Sequence, residues 1–406
     1  MASPERRVSA AELRSFCAAL VASPERMSVA ASTTARPPAR VVVRFWGVCA
    51  PGAATVELPV AVRELEYAAG GLGFRLFPAA LWAAAWFAAR PAWLRAAKVL
   101  ELGAGLGLIG LAAAKQGAAA SITLSDFNPQ LLAALAAAAA DNGVVAHVAA
   151  CDWADEAAAA IAEGVAPHAA EDAAAKNAAN MAQGGCDGGS DAFARDANPE
   201  YYRVRAQLAS APSAPPGGDV ASALPPAASY DVALASEVLY EAHASEALPT
   251  LLARRLAPGG RFATLMAVRD AALVRTCLTR CQALGMQVAL RRLADVALPP
   301  GDAAEAARAA AEAEELARLG GPMCGGAWCD GKGAEWRALL ATGGAGGGAL
   351  EAAWLEARKP LDAPSPLLAV PSLQSGPCCS RRARGLACPC GRAGMPSRAQ
   401  PAAQPG

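Results

Sequence analysis

Four acids, a set of closely spaced glycines and one tyrosine stand at intervals that suit the binding and turnover of a nucleotide-like ligand. Glu101-Leu-Gly103-Ala-Gly105-Leu-Gly107 follows the apolar pair Val99-Leu100 and precedes Leu108 to Ala114, a run of strong helix formers, so it reads as strand, glycine turn, helix. Glycines there admit positive φ and let a ligand lie against backbone N–H groups at the positive end of a helix. Asp126 ends the next β-prone run, Asp152-Trp153 follows the third, and Glu237-Val-Leu-Tyr240 follows the fourth, which begins at Tyr230. An ionised carboxylate only accepts hydrogen bonds, which suits it to hydroxyls and amines of a bound ligand. The turn alone does not name that ligand: Gly105-x-Gly107-x-x-Gly110, with Asp126 roughly 20 residues on, fits the dinucleotide fingerprint equally well.

The elements that must carry these residues alternate. Strand 99–102, helix 107–116, strand 121–125, helix 129–140 and strand 144–150 come first; after a break the pattern resumes with the stretch Tyr230 to Tyr240, helix 244–256, a Pro258-Gly259-Gly260 turn, strand 261–268, helix 270–284 and strand 286–290. Alternation of this kind implies a parallel sheet with helices on both faces, and ligands of such sheets collect at the carboxyl ends of the strands. Upstream, Val41–Gly47 and Ala54–Ala61 flank Pro51-Gly52 and predict a β-hairpin. Gly70 to Ala89 reads as a glycine loop opening into an apolar helix through Pro78, with Trp82 and Trp86 four apart as core residues. Asp302 to Leu319 reads as a solvated or frayed helix, and either 336–341 or 353–358 supplies a last antiparallel strand.

The resulting map is a flexible leader over 1–40, with a short amphipathic helix from Ala10 to Val21, then a hairpin over 41–64 and a main domain over 65–360. Within that domain 157–228 is a low-complexity insertion and 300–350 carries little signal; a disordered tail spans 361–406. Lys+Arg and Asp+Glu are each 36 among 406 residues, so net charge gives no general attraction to nucleic acid. The longest nearly apolar run, Leu76 to Ala89, is shorter than the roughly 20 residues a membrane span needs. Twelve scattered cysteines outline no disulfide framework, which fits a reducing compartment. Cys378-Cys379 with Cys388-Pro-Cys390 matches no common zinc spacing. A monomeric cytoplasmic protein is expected, with organelle import left open by the Ala/Ser/Arg-rich start.

In order and spacing, Glu101 to Gly107, Asp126, Asp152-Trp153, Tyr230-Asp231 leading to Glu237-x-x-Tyr240, and Leu256-Ala-Pro-Gly-Gly-Arg-Phe262 resemble the class I S-adenosylmethionine-dependent methyltransferases. Within them the chain is most similar to the protein-lysine branch of the methyltransferase-like family. Leu76-Phe-Pro-Ala-Ala-Leu81 resembles that branch's W-P-A-A segment, with Phe77 in place of tryptophan; Asp152-Trp153 resembles its D-W pair, and Glu237-x-x-Tyr240 its D/E-x-x-Y motif. The resemblance covers 41–156 and 229–292. It implies an α/β fold with a Rossmann-like, seven-stranded, mostly parallel sheet. It also implies S-adenosyl-L-methionine as cofactor and a protein substrate presenting a lysine.

On that resemblance, Gly103, Gly105 and Gly107 approach the methionine end, Glu101 contacts or orders that end, and Asp126 takes the ribose hydroxyls. Asp152 takes the adenine amine, Trp153 packs near the ring, and Ser236 belongs to the same cofactor side. Glu237 and Tyr240 would guide and aim the lysine amine, and no metal is implied. A histidine or small-molecule nitrogen acceptor, an NAD-dependent oxidoreductase and a non-catalytic scaffold remain as alternatives. The oxidoreductase has little support, since none of the three histidines lies in a recognisable dehydrogenase motif.

Overall fold

The computed structural model describes residues 5–22, 40–49, 54–65, 72–165, 220–221, 224, 229–325, 328–329, 340 and 352–361. The chain divides into two units, Met1–Leu368 and Ala369–Gly406, and every described residue lies in the first. The four tail cysteines, most of the 157–228 insertion and nearly all of the 336–341 strand candidate lie outside the described residues.

The main sheet contains β4 (Lys98–Leu102), β5 (Ser121–Asp126), β6 (His147–Ala150), β7 (Val220–Ala221), β8 (Tyr230–Ser236), β9 (Leu256–Ala267), β10 (Gln287–Arg292) and β11 (Ala352–Arg358). Their spatial order is β10-β11-β9-β8-β4-β5-β6-β7. Pairings from β9 across to β7 are parallel, while β11 runs antiparallel to both of its neighbours. Read from β6, the order is the doubly wound 3-2-1-4-5-6 with a reversed strand inserted before the sixth. The chain direction of the winding reverses between β4 and β8, and a crevice opens there. Seven strands are expected from the sequence; the additional one, β7, is a two-residue edge pairing with Val148 and Ala149.

Each central strand is apolar on both faces, as a buried parallel sheet requires. Val99, Val232 and Leu234 enter one hydrophobic cluster, whereas Leu100, Leu102, Ala233 and Ala235 enter the other. Helix α2 (Pro78–Ala88) lies in the first cluster, its proline in the first turn where no amide is missed. Trp82 and Trp86 are fully buried core residues, with centroids 6.5 Å apart and planes 12° from parallel. Trp354 of β11 packs on Trp86 at 4.7 Å, and the pairing of Ala352–Arg358 with β9 and β10 makes it the last strand.

The hairpin of β2 (Arg40–Val48) and β3 (Thr55–Arg63) pairs in unbroken antiparallel register and buries Val41, Val43, Phe45, Val60 and Val62 in the same cluster. Two elements lie in the leader over 5–22. Strand β1 (Glu5–Val8) runs parallel to β2, and helix α1 (Ala10–Ala22) buries Ala10, Leu13, Cys17 and Leu20, one face at three- and four-residue spacing. A capping box starts α1: Glu12 N–H donates to Ser9 Oγ at 3.2 Å, and Ser9 N–H donates to Glu12 Oε2 at 2.9 Å.

The remaining helices are α3 (Leu108–Gln116), α4 (Pro129–Asn142), α5 (Trp153–Ala162), α6 (Ala242–Arg255), α7 (Ala271–Ala283) and α8 (Ala303–Leu319). Helix α5 runs past residue 157, the expected start of the insertion, and Arg254 and Arg255 of α6 both pair with its Glu156. Helix α8 is not the solvated segment expected. Ala306, Ala309 and Ala313 are buried, and the first two pack with Ala89 and Trp46; small side chains let the helix approach closely. Arg14 of α1 pairs with Glu305 of α8.

Candidate active site

The crevice at the carboxyl ends of β4, β5, β6 and β8 is a cleft whose wall carries Gly103, Gly105, Gly107, Asp126, Asp152, Trp153, Ser236, Glu237 and Tyr240. Those are nine of the ten candidate residues, drawn from four separate strand ends. The tenth, Glu101, lies beneath the wall.

The glycine turn explains its own composition. Gly105 has φ of 54°, and a Cβ there would stand 3.0 Å from the Gly73 carbonyl oxygen, so a side chain is excluded by conformation and by space. Gly110 sits in the first turns of α3 where a Cβ would meet Leu124 at 2.3 Å and the Glu101 carboxylate at 2.6 Å. Glu101 uses that gap: Gly110 N–H donates to its Oε2 at 2.8 Å. Burial pushes its carboxyl up to about 8, against the pull of the Gly110 and Ile109 amides. Glu101 therefore orders the turn from below rather than facing the cleft.

Asp126, the last residue of β5, is 5% exposed and works on both sides of itself. Gly105 N–H donates to Oδ2 at 3.0 Å and Asn128 N–H to Oδ1 at 3.0 Å, so the carboxylate ties the turn to the start of α4. Burial pushes its carboxyl upward despite these bonds. A carboxylate has about four acceptor sites, so capacity remains beyond these amides for a hydroxyl of a bound ligand. Asp152 caps α5, its Oδ1 accepting from Ala154 N–H at 2.9 Å, and Trp153 follows it on the wall.

At the end of β8 the backbone turns sharply. Glu237 has φ of 54°, a left-handed conformation uncommon outside glycine, and three contacts hold it. Its N–H donates to Leu265 O at 3.0 Å, its Oε1 accepts from Ala267 N–H at 2.9 Å, and Arg269 Nη2 stands 3.2 Å from Oε2. Burial raises its carboxyl, opposed by the Ala267 amide and the Arg269 charge. Tyr240 is 40% exposed beside it.

Sequence reasoning missed Arg75, Asn128, Cys151, His243 and Arg269 on the same wall. Asn128-Pro129 is a readable helix start, since Asn128 accepts from Gln130 N–H at 2.9 Å. Arg269 has no local signal: it reaches the cleft because β9 pairs with β8 so that Leu265 opposes Ser236.

A cofactor with a polar amino-acid end, two hydroxyls and an aromatic base fits this wall: the glycine turn, Asp126, and Asp152 with Trp153 stand in that order along three adjacent strands. Among the described residues there is no group of three or more acids, histidines or cysteines arranged to hold a metal, and no helix long and apolar enough to cross a membrane.

A family model described as lysine methyltransferase matches residues 60–164. No curated protein matches the chain. Solved structures similar to it include the cyclase SpnF, at 15% identity over 88% of this chain and 98% of that one, with a TM-score of 0.34. A putative S-adenosylmethionine-dependent methyltransferase from Streptococcus mutans matches at 11% identity over 66% and 56%, with a TM-score of 0.33. A putative sarcosine dimethylglycine methyltransferase from Galdieria sulphuraria matches at 11% over 66% and 81%, with a TM-score of 0.30. Scores of this size bear on no detail of the site. The family match, the strand order and the wall of the crevice together define a class I S-adenosylmethionine-dependent methyltransferase, with S-adenosyl-L-methionine as its cofactor.

Proposed function

We propose that this methyltransferase modifies the side-chain amine of a lysine in a protein substrate. The observation that carries the reading is the pairing of Glu237 and Tyr240 on the cleft wall at the end of β8, one strand beyond the glycine turn. The match of 60–164 to a lysine methyltransferase family supports it.

The bound cofactor supplies a methyl group already activated on a sulfonium. Asp126, Asp152 and Trp153 hold its nucleoside end, while the glycine turn, fixed by Glu101 and Asp126, receives its amino-acid end. What remains for the chain is to present a neutral amine in line with the methyl carbon and sulfur, and orientation alone accelerates such a transfer greatly. Tyr240, half exposed at the mouth, aims the amine through its hydroxyl or ring. Glu237 attracts the incoming ammonium, and Arg269 beside it limits that attraction and favours the uncharged amine that reacts.

The test incubates the full chain with tritiated S-adenosylmethionine and cell extract and maps the labelled residue by mass spectrometry. Label on a lysine of a protein is expected. Label on a protein histidine or on a small-molecule nitrogen would replace the lysine assignment with one of those acceptors.

A further inference from the structure

Beyond Tyr240 the chain enters α6 through Glu241, and His243 in the first turn of that helix stands on the cleft wall. Glu241 occupies the position from which an acid ordinarily caps a helix, yet its side chain makes no capping bond. It is 6% exposed, and no described N–H or O–H donates to either carboxylate oxygen in hydrogen-bond geometry. The group that faces it is the imidazole of His243, whose Nδ1 lies 2.8 Å from Oε2. A buried carboxylate without other donors is costly, and a positive charge on that imidazole offsets the cost.

The other acids of the cleft already receive backbone amides. Glu237 is held by the Ala267 amide and Arg269, Asp126 by the Gly105 and Asn128 amides, and Asp152 by the Ala154 amide. Tyr240 and Arg75 complete the ionisable groups on the cleft wall, apart from Cys151, whose thiol burial pushes far up. His243 is thus the cleft side chain that stands against a buried carboxylate.

We propose that His243 accepts the proton of the methyl-accepting amine, with Glu241 as its positioning residue; the inference rests on the lysine reading above. A lysine ammonium in the cleft passes one proton to an imidazole nitrogen, which leaves a neutral amine and an imidazolium paired with Glu241. The amine lone pair forms the new N–C bond as the carbon–sulfur bond breaks, and that bond's electron pair stays on sulfur as an uncharged thioether. The product leaves as a methylated ammonium, and the imidazolium returns its proton to solvent. A carboxylate 2.8 Å from Nδ1 stabilises the imidazolium as it forms, which is the use made of such pairs in general base catalysis.

The chain has three histidines, so ring-nitrogen NMR of the full chain resolves His243 once His243→Gln identifies its signals. The first readout is the pH titration of those signals without substrate, in the native chain and in Glu241→Gln. The second is the initial rate of tritium transfer from saturating S-adenosylmethionine into lysine of cell-extract protein across pH. Calorimetric affinity for S-adenosylhomocysteine confirms that each variant is folded. In the native chain the transfer rate is expected to rise through the same midpoint as the His243 ring nitrogens. In His243→Gln the rate is expected to fall about 100-fold or more and that rise to vanish, with affinity unchanged. In Glu241→Gln the pH profile of the rate is expected to shift and the rate to fall about tenfold or more. Label on lysine with an unaltered rate and pH profile in His243→Gln would overturn the role of His243. Label on another acceptor would overturn the lysine reading first, and the two failures are distinguishable by where the tritium is found.

Discussion

Glu101 is the buried acid whose ionisation should be visible in the stability of the whole fold. In the folded chain its carboxyl is pushed up to about 8 by burial, against 4.5 in the open chain, so between those values the folded state holds a proton that the unfolded state has released. Stability contributed by this group is therefore full below pH 4.5, falls as pH rises, and stops falling above about pH 8. At 1.36 kcal/mol per pH unit the whole loss has a ceiling of roughly 5 kcal/mol. Glu101→Gln keeps an acceptor for the Gly110 amide and removes the ionisation. The assay is urea unfolding of the cofactor-free chain and of Glu101→Gln from pH 5 to pH 8.5, where titrating groups not coupled to Glu101 cancel in the difference. The variant is expected to gain on the native chain by several kcal/mol as pH rises. A difference that stays flat across that range would refute the claim that this carboxyl is held neutral beneath the turn.

Asp126→Ala should weaken S-adenosylhomocysteine binding by roughly 1.5–3 kcal/mol, the worth of a charged acceptor. It should also lower Tm, because the Gly105 and Asn128 amides lose their acceptor; unchanged calorimetric affinity in a folded variant would contradict the assignment. Leu13→Ala, at a position 2% exposed, should cost about 2–5 kcal/mol in the same urea assay. A loss below about 1 kcal/mol would mean that α1 is not part of the cooperative core.

The sheet was legible because alternating apolar runs and glycine turns are local signals, and the order of Glu101, Asp126, Asp152 and Glu237 along the chain already placed them at successive strand ends. What was not legible came from contacts distant in sequence. Both candidates for the last strand contain a tryptophan; Ala352–Arg358 pairs with β9 and β10, and Trp354 packs on Trp82 and Trp86. The role of Glu101 depends on the absence of a Cβ at Gly110, nine residues away and on a different element. Alanine-rich α8 looked too weakly apolar to bury a face, and it does so because close approach to the hairpin needs small side chains. Ser9-Ala-Ala-Glu12 is different: the capping box was readable, but a composition rich in Ala, Ser and Arg drew attention to the leader as a whole.

The central claim is that one cleft is divided, with Asp126 and Asp152 on the cofactor side and Glu237 and Tyr240 on the acceptor side. The most direct measurement sets calorimetric affinity for S-adenosylhomocysteine beside the methyl-transfer rate for Glu237→Ala and Tyr240→Phe. The predicted result is affinity within about twofold of the native chain and a rate at least about tenfold lower, since the lost groups orient an amine that reacts only in line. Loss of cofactor binding in folded variants, or a transfer rate left intact, would contradict the division of the cleft.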